Sequence, residues 1–174
     1  MISEQELAKL SLEGAPQIKV APPGPKSQEI LTYQSEHESS VVSYPKGMPM
    51  ALKRGKGATL EDVDGNVYID LFGGAGVMAV GHGHPDVLEA AHKQIDDVTH
   101  TLDIPSETRQ KMVELLGTLL PKELNRVFFG GPTGSDAVEQ AFKLARYNTG
   151  RWNILAFEGA YHGVFGHTNA MTTG

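Results

Sequence analysis

At 174 residues the chain is long enough for one domain with a real core and too short to suggest two. Its 40% hydrophobic and 21% charged residues are ordinary for a globular protein, and a net charge of −6 with no basic stripe argues against a nucleic-acid surface. The absence of cysteine excludes disulfides, thiolate metal sites and a cysteine nucleophile; with no apolar run of membrane-spanning length and no signal-like start, a cytoplasmic protein is expected.

In chain order, residues 3–10 predict a short helix. Gly14, Pro16, Pro22, Pro23, Gly24 and Pro25 prevent regular structure after it, so 11–27 reads as an irregular arm of the kind that orders only against a partner. Gln28 to Ser40 predicts a helix leading toward Tyr44-Pro45. Two alternating runs, 58–63 and 66–71, flank Asp64-Gly65 and predict a hairpin. Asp62, Asp64 and Asp70 read as ordinary turn and surface acids. A glycine-rich loop from Phe72 to Met78 then leads to Gly81-His82-Gly83-His84-Pro85. Pro85 suits the first turn of a helix whose apolar face is Val87, Leu88, Ala91, Ile95 and Val98. Ser106 or Thr108 caps a second helix, with Met112, Leu115, Leu116 and Leu119 inward and Pro121 stopping it.

After Arg126 the rhythm changes to strand, loop, helix, strand. Val127–Phe129 and Ile154–Phe157 are the apolar runs, and Ala137, Val138, Ala141, Phe142 and Ala145 form the expected buried stripe between them. This is a βαβ pattern. The resulting organisation is an N-terminal arm and helix over 1–45, an antiparallel hairpin unit over 46–80, and helices plus the opening of a doubly wound domain over 81–174. Two parallel strands alone would leave apolar faces uncovered, so the chain reads as the front part of something larger.

The loop Gly130-Gly-Pro-Thr-Gly-Ser135 ends a strand and opens a helix. A helix start offers unpaired N–H groups and the positive end of the dipole, and a glycine there lets the backbone close on an oxyanion. It is not a P-loop, because no Gly-Lys-Ser/Thr comes after it, and the dinucleotide spacing G-x-G-x-x-G also fails. A phosphate cradle and a plain helix cap both remain open. The second candidate is Glu158-Gly-Ala-Tyr161-His162-Gly163, beyond the second strand, where an aromatic ring can stack a flat ligand beside an imidazole. Its structural alternative is a buried tyrosine and a hydrogen-bonded histidine. His82 and His84 lack a third ligand at suitable spacing, so a turn is expected there and no metal.

Taken together, Leu60–Asp70, Gly81–Pro85, Pro132–Glu139 and Gly159–Gly163 resemble the class III pyridoxal-phosphate-dependent aminotransferases. Within the family, His100–Asp103 and Phe129–Ala137 look most like diaminobutyrate–2-oxoglutarate aminotransferases. The resemblance implies an α/β fold, the front part of a fold-type I transferase. It implies pyridoxal 5'-phosphate as cofactor, held by Thr133, Gly134 and Ser135 at its phosphate and by Tyr161 and His162 at its ring. Gly74, Ala75, Gly76 and Val77 would border the substrate pocket, and the family's homodimer shares its active sites between subunits. The reaction implied moves an amino group from a donor such as 2,4-diaminobutyrate to a 2-oxo acid such as 2-oxoglutarate. No catalytic residue is expected in the chain itself, since the Schiff-base lysine and pyridinium aspartate of the family fall beyond Gly174 and none of the ten lysines present matches. The alternatives are a non-catalytic phosphate-binding or interaction module and, last, a nucleotide-binding protein.

Overall fold

A computed structural model describes residues 8–173 and divides them into two units, one ending at His100 and the other beginning at Thr101. The helix expected over 3–10 lies largely outside the described residues.

In the first unit, helix α1 (Pro25–His37) and the short α2 (Tyr44–Gly47) precede three strands, β1 (Leu52–Lys56), β2 (Thr59–Asp62) and β3 (Val67–Ile69). The strands form an antiparallel sheet in the order β1-β2-β3, with Leu60 opposite Tyr68 and Lys56 opposite Thr59. The β2–β3 hairpin is the one expected around Asp64-Gly65. β1 is additional: its Leu-Lys-Arg-Gly-Lys sequence has the lysines and glycine of an edge strand and no apolar alternation to betray it. Lys53 and Arg54 both reach across to Glu61, at 2.9 and 2.5 Å.

The hairpin acids are not the surface acids that their sequence suggests. Asp62 is fully buried and accepts from the N–H groups of Asp64 and Asn66, the Asn66 amide and the Tyr68 hydroxyl, all at 2.8–2.9 Å. Burial, reinforced by the Asp62 bond, pushes the Tyr68 phenol up to about 12. Asp64 accepts from the N–H groups of Lys26 and Ser27 and so caps α1 from outside its own sequence. The irregular arm is likewise ordered by its own chain. Gln17 pairs with Val67, and Asn66 accepts from the N–H groups of Lys19 and Val20. No outside partner is required to place it.

Beyond β3 comes a turn, Gly73–Gly76, in which Gly74 and Ala75 are left-handed, and then helix α3 (Pro85–Asp97) with Pro85 in its first turn. The second unit holds α4 (Glu107–Leu119), α5 (Gly134–Thr149) and α6 (Gly166–Met171). Ser106, not Thr108, caps α4, its hydroxyl accepting from the Arg109 N–H.

The expected strands Val127–Phe129 and Ile154–Phe157 carry no strand pairing. A parallel strand gains its backbone bonds from neighbours, and no strand in the second unit lies beside either run among the described residues. Phe128, Leu155 and Phe157 are exposed in consequence. The inward faces expected for the helices are also uncovered: Val87, Leu88 and Ile95 on α3, Met112, Leu115 and Leu119 on α4, and Ala137, Ala141 and Ala145 on α5 all stand exposed. Val138, Phe142 and Leu116 are half-buried. Ala51 and Val67 are the buried apolar side chains among the described residues, and the other fully enclosed groups are polar and hydrogen-bonded. Caps and polar locks therefore define the local structure, while most apolar faces await cover.

Candidate functional site

The start of α5 is built by a capping box. Thr133 occupies the N-cap with extended backbone, its hydroxyl oxygen accepts from the Asp136 N–H at 3.3 Å, and the Asp136 carboxylate accepts from both the Thr133 N–H and hydroxyl. The box consumes the polar groups of Thr133 and of Asp136. It leaves the N–H groups of Gly134 and Ser135 with no acceptor among the described residues, at the positive end of a 16-residue helix. Beyond its chain neighbours and its own helix backbone, no atom lies within 4 Å of where a Cβ on Gly134 would sit, so the helix start is not crowded there. The arrangement suits an anion.

The Ser135 hydroxyl faces a different way. Ser135 is buried, and its Oγ accepts from the Val164 N–H at 3.2 Å, which pins the segment after His162 to α5. One turn further along α5, the Glu139 carboxylate accepts from the Thr168 N–H at 2.8 Å and meets the His167 ring at 3.0 Å. Those bonds, the Thr168 N–H first, hold the Glu139 carboxyl below the usual carboxylate range. The Thr172 hydroxyl closes the loop from its far end, accepting from the N–H groups of His162 and Gly163 and donating to the Gly163 carbonyl. Thus Thr133, Gly134 and Ser135 are brought together with the loop that carries Tyr161 and His162.

The side chains of that loop are the reverse of a buried tyrosine and a hydrogen-bonded histidine. Tyr161 is 69% exposed, and the buried Nε2 of His162 has no hydrogen-bond partner. An unsatisfied buried ring nitrogen is a feature that a ligand would complete. Neither Glu139 nor Thr172 stands out in the sequence, although Glu139 lies four residues after Ser135 and so shares its helix face.

Gly74–Val77 belong to the first unit. Left-handed backbone at Ala75 (φ 60°) is costly for a residue with a Cβ, on the order of 1–2 kcal/mol. The segment is fixed at both ends by Asp70. Its Oδ1 accepts from the N–H groups of Phe72 and Gly73, and its Oδ2 lies 2.7 Å from His82 Nε2, while the His82 backbone exchanges two hydrogen bonds with Gly57. The His82 contact, with the Gly73 N–H behind it, holds the Asp70 carboxyl low. Asp70 is therefore a loop clamp, not a surface acid.

A cleft of about 970 Å³ in the second unit is bordered by His167 but not by Thr133, Gly134, Ser135, Tyr161 or His162. It is lined by the exposed α5 face, including Ala137, Ala141 and Leu144, together with Phe128, Tyr147 and Trp152. Ala137 and Ala141 belong to the apolar stripe left without cover, and Lys143, Arg146 and His167 also line the cleft.

Residues 41–174 match the class III aminotransferase family. The diaminobutyrate–2-oxoglutarate aminotransferase of Haemophilus influenzae is 40% identical over 148 residues, 84% of this chain and 33% of that protein. An alanine/serine racemase of Pyrococcus horikoshii is also 40% identical, over 85% of this chain and 31% of its own length. Among solved structures, a transaminase with PLP bound superposes with a TM-score of 0.71 at 28% identity, covering 80% of this chain and 33% of that one. The chain spans about a third of the length of the curated relatives it matches. With the sequence matched from Val41 onward and the fold shared with the PLP-bound transaminase, the chain belongs to the class III aminotransferases, whose cofactor is pyridoxal phosphate.

Proposed function

We propose that this chain supplies the phosphate- and ring-holding part of an enzyme that transfers an amino group from a diamine-type donor, such as 2,4-diaminobutyrate, to a 2-oxo acid such as 2-oxoglutarate. The observation that carries the reading is the open pair of N–H groups at Gly134 and Ser135, tied through Ser135 Oγ to the loop bearing Tyr161 and His162. The residues fit pyridoxal phosphate. The N–H pair would take its phosphate, Tyr161 would cover its ring, and His162 offers the unsatisfied Nε2 beside it. When bound, the cofactor supplies an aldehyde that accepts the amino group and a ring that draws electrons from the substrate carbon. Gly74–Val77 would border the substrate, in a cytoplasmic homodimer whose subunits share their active sites.

No lysine of this chain takes part in that constellation. Lys143, the lysine of α5, is exposed and lines the apolar cleft. The chain by itself is therefore a cofactor holder without the group that makes the cofactor react. The choice of donor is supported by the Haemophilus relative, while the equal identity of a racemase shows that similarity over this region does not separate one reaction from the other.

The test has two arms. Protein expressed from the complete reading frame should form glutamate from 2-oxoglutarate and 2,4-diaminobutyrate, and failure with every amino donor would refute the activity. Residues 1–174 alone, treated with pyridoxal phosphate and borohydride, should show no uniquely modified lysine by mass spectrometry. A single labelled lysine would overturn the holder reading.

A further inference from the structure

We propose that Glu139 is a positioning residue that sets the ring-covering loop at a fixed distance from the phosphate cradle, using α5 as the ruler. The inference rests on the reading of Thr133–Ser135 and Tyr161–His162 as cofactor contacts. Ser135 and Glu139 lie one turn apart on one helix face, and each accepts a backbone N–H from the same segment, Val164 for Ser135 and Thr168 for Glu139. Two bonds at different heights on a rigid helix fix both the distance and the tilt of that segment; one alone would act as a pivot.

The backbone on either side of these bonds is tightly constrained. A Cβ on Gly163 would collide with Ser135 Oγ and lie 2.5 Å from Thr168 Oγ1, so the backbone passes α5 at contact distance. Thr168 is fully buried and its hydroxyl donates to the Phe165 carbonyl, while Thr172 holds the N–H of His162. With α6 locked to Glu139, and Thr172 at the end of α6 holding His162, the Glu139 carboxylate is connected to the ring histidine through a short chain of hydrogen bonds. The His167 ring adds a second partner to the carboxylate, and the side chain of Glu139 is only 16% exposed. The acceptor oxygen facing the Thr168 N–H is the part that positions; the charge facing His167 is secondary.

The two functions of α5 can be separated by ligand. Inorganic phosphate uses the N–H pair alone, whereas pyridoxal phosphate also needs the ring loop. In protein expressed from the complete reading frame, Glu139→Ala should speed amide exchange at Val164 and Thr168 and weaken pyridoxal phosphate by about tenfold, with inorganic phosphate unchanged. Glu139→Gln keeps the acceptor oxygen and should restore both exchange and affinity. The proposal is overturned by unchanged exchange in Glu139→Ala, by equal losses for the two ligands, or by a Gln variant as impaired as the Ala variant. If wild-type protein binds no pyridoxal phosphate while exchange responds as expected, the cofactor reading fails and the tether stands.

Discussion

Replacing Gly134 with alanine should move stability and affinity in opposite directions. Gly134 is the first residue of α5, its φ is not positive, and nothing beyond its chain neighbours and its own helix backbone lies within 4 Å of a Cβ built there. Alanine fits the native backbone and restricts the unfolded chain, which stabilises by about 0.4–1 kcal/mol at such positions. The Cβ of a helical residue leans toward the helix N-terminus, so the new methyl enters the approach to the N–H pair of Gly134 and Ser135. Loss of one hydrogen bond to a charged ligand costs about 1.5–3 kcal/mol, roughly a 10- to 150-fold weaker dissociation constant. Thermal unfolding and titration with inorganic phosphate and pyridoxal phosphate give the two readouts. Gly134→Ala should melt slightly higher and bind both ligands more weakly. Unchanged binding would place the anion elsewhere than this helix start, and a lower melting temperature would refute the uncrowded helix start.

Two further outcomes concern the first unit. Asp62→Ala leaves the buried N–H and side-chain amide of Asn66 without their acceptor; at about 1–3 kcal/mol for each unsatisfied group, a loss of about 2–6 kcal/mol is expected in denaturant unfolding, and a loss under about 1 kcal/mol would contradict the network. The Asp70 carboxyl is depressed on folding, so its stabilising effect is present above the ordinary aspartate range and is lost as pH falls through the lower folded value. Asp70→Asn should therefore flatten part of the acid-unfolding curve and speed amide exchange over 72–81, whereas an acid limb identical to wild type would refute the clamp.

What the sequence made legible is what local chemistry decides. Thr133 and Asp136 stand three apart, and Ser106 precedes an amphipathic run, so the starts of α5 and α4 come from capping alone. Asp64-Gly65 between alternating runs gives the hairpin for the same reason. Asp62 is missed although its partners lie within six residues, but the other missed side chains have a partner far along the chain. Asp64 looks like a turn residue because its turn is local, but its acceptors are spent on Lys26 and Ser27, 38 and 37 residues earlier. Asp70 meets His82 across a loop, and Glu139 meets Thr168 at a separation of 29 residues. No periodicity announces such bonds.

The apolar positions show the same limit from the other side. Their spacing predicts the helices correctly and their burial incorrectly, because amphipathicity specifies that a face needs cover, not what covers it. Phe128, Leu155 and Phe157 have strand-like sequence and remain unpaired, since a parallel strand is a property of its neighbours. The polar locks behave differently. Ser135–Val164, Glu139–Thr168 and Thr172–His162 are complete within the second unit and need no other strand to form. A cofactor cradle held by such bonds can keep its shape while the hydrophobic faces around it are still open. The Ser135, Glu139 and Thr172 bonds would therefore hold the proposed phosphate and ring contacts in place independently of whatever covers the apolar face of α5.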